Sequence, residues 1–233
     1  MIDPDLRRRI VEACVSGPSA DEAGLRRLMV DVCRRMNGAG LNQGKSGNLS
    51  ARLEGGRFLM TPSGVDYEEM RPEDVVRMSM NGSFEGPFAP STEWRMHRDL
   101  LLARPETGSI LHAHSPRSTA LACHGRGIPP FHYMVAVAGG TDVRCAPYAT
   151  FGSPELASAA VEALQGRKAC LLAHHGILCL GEGPREALDL AVEVEALSGM
   201  YLDSLAIGEP PRLSDAEMSR VLAAFETYGR PRR

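Results

Sequence analysis

A chain of 233 residues with a formal net charge of −3 is long enough to bury a substantial core but offers no basic field for nucleic acid. No apolar run approaches the ~18 residues a membrane helix needs, and the acidic start Met1-Ile2-Asp3-Pro4-Asp5 is unlike a signal peptide. The expectation is one cytoplasmic domain over residues 1–233 without a membrane or nucleic-acid partner, its Arg-rich ends Leu6-Arg7-Arg8-Arg9 and Arg230-Pro231-Arg232-Arg233 being solvated terminal charge.

In chain order, Ser19-Ala20-Asp21-Glu22 reads as a capping box. It opens a helix with Leu25, Leu28, Met29, Val32 and Met36 on one face and Gly38 near its end. Asn48-Leu49-Ser50-Ala51-Arg52-Leu53 and Arg57-Phe58-Leu59-Met60-Thr61 flank Glu54-Gly55-Gly56 as a hairpin, and Asn81-Gly82 marks another tight turn. Ser91 is expected to cap a helix running through Leu102 with Glu93 in its first turn. Ser109-Ile110-Leu111 and Ala169-Cys170-Leu171-Leu172 read as buried strands. Pro184 to Ile207 forms a long helix with Leu190, Val194, Leu197, Tyr201 and Leu205 on one face, and Ser214-Asp215-Ala216-Glu217 caps a last helix ending at Tyr228-Gly229. Hairpins mixed with helices argue for a layered α/β fold with a largely antiparallel or mixed sheet rather than a doubly wound parallel one. The six cysteines show no C-x-x-C spacing and are expected as reduced, mostly buried thiols.

The chemistry gathers around histidine. His112-Ala113-His114 follows a strand whose alternate residues share a face, so both imidazoles can reach one ion. His174-His175 ends a second strand where neighbours point oppositely, so only one of the two should join them. Three imidazoles with a fourth position open match a catalytic rather than a structural zinc, and Glu93 is the nearest carboxylate to share that position. The turns Gly44-Lys45-Ser46-Gly47-Asn48 and Thr61-Pro62-Ser63-Gly64, with the Ser91-Thr92 helix start, expose backbone N–H groups and hydroxyls that together could hold one phosphate. The two lysines, Lys45 and Lys168, leave a Schiff-base mechanism few candidates.

These residues occur in stretches that closely resemble the class II aldolase/adducin family. They are Ser46-Gly47-Asn48-Leu49-Ser50, Thr61-Pro62-Ser63-Gly64, Ser91-Thr92-Glu93-Trp94-Arg95-Met96-His97, His112-Ala113-His114, His132-Tyr133-Met134, Cys145 through Gly152, His174-His175-Gly176 and Tyr228-Gly229. The resemblance implies a three-layer α/β fold with a central, largely antiparallel sheet between helices, assembled as a cyclic homotetramer with shared sites. It implies His112, His114 and His175 as zinc ligands, with Glu93 as the acid/base carboxylate that also touches the metal. Gly47, Asn48, Ser63, Gly64, Ser91 and Thr92 would hold the phosphate of a sugar substrate. Tyr133 would reach a neighbouring subunit's site, and Phe151, Phe225 and Tyr228 would line the aldehyde side. Lys45 departs from the family, whose close members carry a small hydroxyl residue there. The implied activity is zinc-dependent cleavage of a ketose 1-phosphate, similar to L-fuculose 1-phosphate, into dihydroxyacetone phosphate and a small aldehyde. Alternatives on the same zinc site are a 5-deoxyribulose or 5-methylthioribulose 1-phosphate aldolase, a pentulose-phosphate 4-epimerase and a hydroxyacid decarboxylase. A non-enzymatic adducin-like scaffold is disfavoured because every ligand is kept.

Overall fold

The computed structural model describes residues 22–225. The chain runs through helix α1 (Glu22–Gly38), strands β1 (Asn48–Leu53) and β2 (Arg57–Met60), a 3₁₀ turn (Pro72–Asp74), and strands β3 (Val76–Ser79) and β4 (Phe84–Glu85). Helix α2 (Trp94–Ala103), strand β5 (Ser109–Ala113), helix α3 (Pro116–Cys123), a second 3₁₀ segment (Tyr133–Ala138), strand β6 (Arg144–Ala146) and helix α4 (Pro154–Ala163) follow. Strands β7 (Ala169–Leu172) and β8 (Gly176–Gly181) and helices α5 (Pro184–Leu205) and α6 (Asp215–Phe225) complete it.

The eight strands form one sheet in the order β4-β3-β2-β1-β5-β8-β7-β6, antiparallel throughout except for the parallel pair β6 and β7. The pleat sends successive side chains to opposite faces, so each buried strand feeds two cores. Leu111, Leu171, Ile177 and Cys179 join α1, α3, α5 and α6 on one face. Ile110, Cys170, Leu172, Leu178 and Leu180 join α2 and α4 on the other. This two-sided burial explains why β7 and β8 read as continuous apolar runs, and it makes the fold three layers with the sheet in the middle.

Several expectations from the sequence hold locally. The hairpin pairs Leu53 with Arg57 and Ser50 with Met60, and the Asn81-Gly82 turn is closed by the Ser83 amide donating to Asn81 Oδ1 at 2.9 Å. Helix α5 stops at Leu205, two residues short of the expected Ile207. The Ser214 hydroxyl accepts from the Glu217 amide at 3.2 Å, as the capping motif requires. Residues 19–21 of the expected box, the Arg-rich ends, Tyr228 and the expected end of the last helix lie outside the described residues. Cys33, Cys170 and Cys179 are buried free thiols, whereas Cys123 is exposed. Among the described residues no helix is long and apolar enough to cross a membrane.

Candidate active site

The site sits where β1, β5 and the β7–β8 turn end on the α2 side of the sheet. His112 is the next-to-last residue of β5, flanked by Leu111 and Ala113, which turn into the other core, so its ring emerges on the face shared with α2. His114 follows just beyond the strand. Its Nε2 lies 3.0 Å from that of His112, as the strand alternation expects. His175 arrives differently from the strand argument: β7 stops at Leu172, and Ala173-His174-His175 is a turn into β8. His174 there takes a left-handed backbone at φ 55°, so a turn, not alternation along a strand, separates the two rings. His175 joins His112 and His114, and the ligand atoms of the three lie within 4.8 Å of one another. Gly176 allows β8 to approach β5 closely, because a Cβ there would overlap the Ala113 carbonyl oxygen and come 2.8 Å from the His114 ring.

Glu93 stands over this triangle. The Ser91 hydroxyl accepts from the Glu93 amide at 3.3 Å and the Ser91 carbonyl accepts from the Trp94 amide at 3.0 Å. Helix α2 therefore begins at Trp94 with Glu93 in its cap position rather than in its first turn. The carboxylate is buried, with Oε2 3.2 Å from His112 Nε2 and Oε1 3.4 Å from His175 Nε2. Asn48 Nδ2 donates to Oε2 at 2.9 Å. Oε1 has no hydrogen-bond partner among the described residues. Asn48 in turn meets the fully buried His97 of α2, whose Nε2 is 2.6 Å from Asn48 Oδ1 and whose Nδ1 is 2.7 Å from Ser50 Oγ.

The electrostatics follow from this crowding. Burial would raise the Glu93 carboxyl, but His112, then His175 and the Asn48 amide, hold it well below the usual carboxylate range. Burial and the neighbouring His112 pull His114 and His175 down to about 4. Burial works against charge on His112 too, yet Glu93 and the Ile177 carbonyl carry it above the ordinary imidazole value. His112 Nδ1 donates to that carbonyl at 2.8 Å, so a neutral ring carries its lone pair on Nε2, the nitrogen nearest His114 and Glu93. Converging imidazole nitrogens beside an orphaned buried carboxylate oxygen are what a divalent cation would satisfy, and the nitrogen-rich donor set suits zinc.

A cavity of about 400 Å³ opens above these groups, with Glu93, His114 and His175 in its wall. Three polar loops form the rest. Thr61–Gly64 and Ala89–Thr92 run side by side through the Pro62–Pro90 bridge, with the Ser91 amide donating to the Thr61 carbonyl at 3.0 Å. Thr61 ties them to β1, since its Oγ1 accepts from the Leu49 amide at 3.1 Å. Gly47 is wedged between strands, and a Cβ there would come 2.8 Å from the His112 carbonyl oxygen. The cavity thus brings together Gly47, Asn48, Ser63, Gly64, Ser91 and Thr92, together with the exposed Lys45 and Phe151. Tyr148 and His174 also line it, their rings edge to face at 5.9 Å, although the sequence assigned neither a role.

Two further residues, Tyr133, expected to serve a neighbouring subunit, and Phe225, do not line this chain's cavity. Tyr133 begins the second 3₁₀ segment, half exposed, its ring 4.8 Å from that of His132 and outside the cavity. Phe225, the last residue of α6, is partly buried against the core and is not among the residues lining this chain's cavity.

Comparison with known proteins agrees with this architecture. Residues 27–202 match the family model for the class II aldolase and adducin N-terminal domain. The chain is 51% identical over 205 residues to the 5-methylthioribulose-1-phosphate/5-deoxyribulose-1-phosphate aldolase of Rhodospirillum rubrum, covering 88% of this chain and 92% of that protein. It is 45% identical over 206 residues to the L-fuculose phosphate aldolase of Escherichia coli strain K12, covering 88% and 95%. A solved structure of an L-fuculose 1-phosphate aldolase superposes with a TM-score of 0.84 at 37% identity, over 91% of this chain and 99% of that one.

Proposed function

Because the chain belongs to the class II aldolase and adducin family and its relatives are aldolases, we propose that it is a zinc-dependent aldehyde-lyase that cleaves a ketose 1-phosphate into dihydroxyacetone phosphate and a small aldehyde. The observation that carries this is a cavity lined by His114 and His175 of the three-imidazole cluster, by a buried carboxylate and by three loops rich in serine, threonine and glycine, with His112 directly behind the wall. In this reading the loops around Gly47, Ser63 and Ser91 receive the phosphate through amides and hydroxyls, and that non-reacting end sets the sugar carbons over the histidines. A divalent cation held by His112, His114 and His175 supplies Lewis-acid charge opposite the negative charge that develops on cleavage. Glu93 keeps one oxygen fixed by Asn48 and the other unbonded, so it can carry a proton to and from the carbon at the broken bond. Tyr133, half exposed and outside its own chain's cavity, serves the site of a neighbouring copy in a cyclic tetramer, where it handles the proton of the hydroxyl that becomes the aldehyde. The same reading has the enzyme work in the cytoplasm.

For the aldehyde half the first reading is a 6-deoxy sugar such as L-fuculose 1-phosphate, supported by the apolar Phe151 in the cavity lining. A 5-deoxy- or 5-methylthio-pentulose 1-phosphate is the second reading, favoured by the 51% identity to the Rhodospirillum rubrum protein. The deciding measurement is release of dihydroxyacetone phosphate from a panel of ketose 1-phosphates and their unphosphorylated forms. Phosphate-dependent cleavage is expected, lost on chelation. Equal cleavage of the free ketoses, or a C4 epimer without dihydroxyacetone phosphate, sinks the proposal.

A further inference from the structure

Fully buried polar networks rarely persist without a job, and the one behind Glu93 has a definite direction. Asn48 can face the Glu93 carboxylate only through its Nδ2, because two acceptor oxygens would repel. Its Oδ1 therefore points at His97 Nε2, 2.6 Å away, and that nitrogen must carry the proton. In a neutral ring Nδ1 is then bare and accepts from the Ser50 hydroxyl at 2.7 Å. Ser50 sits two residues along β1 from Asn48 on the same face, and His97 lies one helical turn beyond Glu93 on α2, so strand and helix periodicities together align the series. Every member is spoken for, and the chain of donors ends on a single oxygen of Glu93.

We propose that His97 is a positioning residue for the lyase reaction. As the Nε2–H tautomer it locks the Asn48 amide so that the amide donates to Glu93 Oε2, leaving Oε1 as the only oxygen free to exchange a proton with substrate. The proposal rests on the reading of Glu93 as the proton carrier. Burial supports it by pushing His97 down to about 3, which keeps the ring neutral across the working range. A flipped amide would present Oδ1 to the carboxylate, repel it and turn it away from the cavity. Gln at position 97 retains an amide N–H for Asn48 and an acceptor for Ser50, whereas Leu supplies neither.

The test has two arms. Imidazole ¹⁵N NMR on the wild-type, metal-free protein reads the tautomer directly, with the His97 signals identified by their loss in His97→Gln. A protonated Nε2 and an unprotonated Nδ1, unchanged from pH 6 to 8, are expected, and an Nδ1–H tautomer overturns the proposal. In the second arm, zinc content, kcat and KM are compared among wild type, His97→Gln and His97→Leu. His97→Leu should lose kcat by at least ~10-fold at unchanged zinc content, while His97→Gln stays within about threefold of wild type. A folded, zinc-loaded Leu variant with wild-type kcat, or equal losses in both variants, overturns it. If Leu does not fold, the NMR arm decides. If the wild-type protein cleaves no ketose 1-phosphate, the functional reading fails while the tautomer still reports on the network.

Discussion

Asn48 and His112 are paired residues across the antiparallel ladder of β1 and β5, and both side chains emerge on the face that carries Glu93. One strand register thus puts the amide that fixes the carboxylate directly beside the imidazole that faces it. A slip of one residue in either strand would send that strand's side chain into the opposite core.

The two histidines of the β7–β8 turn should separate cleanly. His175→Ala removes a ligand and is expected to lower zinc affinity by 100-fold or more, on the order of 3 kcal/mol, whereas His174→Ala should keep near-wild-type metal content. Competition with a chromogenic chelator measures both. Equal loss in the two variants rules out the assignment of His175 as the ligand.

Glu93→Gln retains the shape of the side chain and removes its capacity to carry a proton. Turnover should fall by ~100-fold or more with the fold intact and most of the metal retained by the three histidines. Steady-state kinetics with metal analysis on the same sample checks this, and an active Gln variant would assign the proton transfer elsewhere.

The buried His97 makes stability depend on pH. Burial first, then the charge of His112, holds its value near 3 in the fold, while the unfolded chain keeps the ordinary 6.5. Between those values the unfolded state binds the extra proton, so stability falls as the pH drops from 6.5 toward 3. The cost from this group is at most about 1.4 kcal/mol per pH unit. Urea unfolding of the metal-free protein at pH 4.5, 5.5 and 6.5 should therefore show a shallower pH dependence in His97→Gln. Parallel slopes in the two proteins contradict the linkage.

Gly47→Ala tests the contact between the Gly44–Asn48 loop and β5. The added methyl would lie 2.8 Å from the His112 carbonyl oxygen and 2.9 Å from Asn42 Oδ1, so the loop or β5 must shift. A loss of ~1–3 kcal/mol is expected, with a raised KM for phosphorylated substrate. An unchanged urea midpoint would show that the loop yields freely.

Mixing Glu93→Gln subunits with Tyr133→Phe subunits examines the shared site. Each homogeneous variant should be nearly inactive, and exchange should restore part of the activity because some sites then combine an intact Glu93 with a neighbour's intact Tyr133. No recovery after exchange verified by mass spectrometry argues that every site is completed within one chain.

Much of this arrangement was legible because it is local. The spacing of His112 and His114 on a strand, the Glu54-Gly55-Gly56 hairpin and the amphipathic α5 depend on periodicities of two and 3.6 residues, which a sequence displays directly. The cap of this helix falls two positions later than the sequence indicates, at Glu93 rather than Ser91, because the turn at Ser91–Trp94 uses the serine hydroxyl before the helix starts. The fate of the two adjacent histidines depends on a left-handed turn residue that is not glycine, for which the sequence carries no mark. The link from Ser50 through His97 and Asn48 to Glu93 was hidden for another reason. It requires the packing of α2 on β1, and partners 45 to 49 residues apart leave no periodic trace.

The outermost strands of the sheet, β4 and β6, contain two and three residues. Longer margins would offer unpaired amides and carbonyls to any passing chain, and repeated edge-to-edge pairing of that kind builds fibres without end. Among the described residues the long ladders are all interior, so little strand edge is left to share. Within that span, helices and loops are what is left to meet another copy.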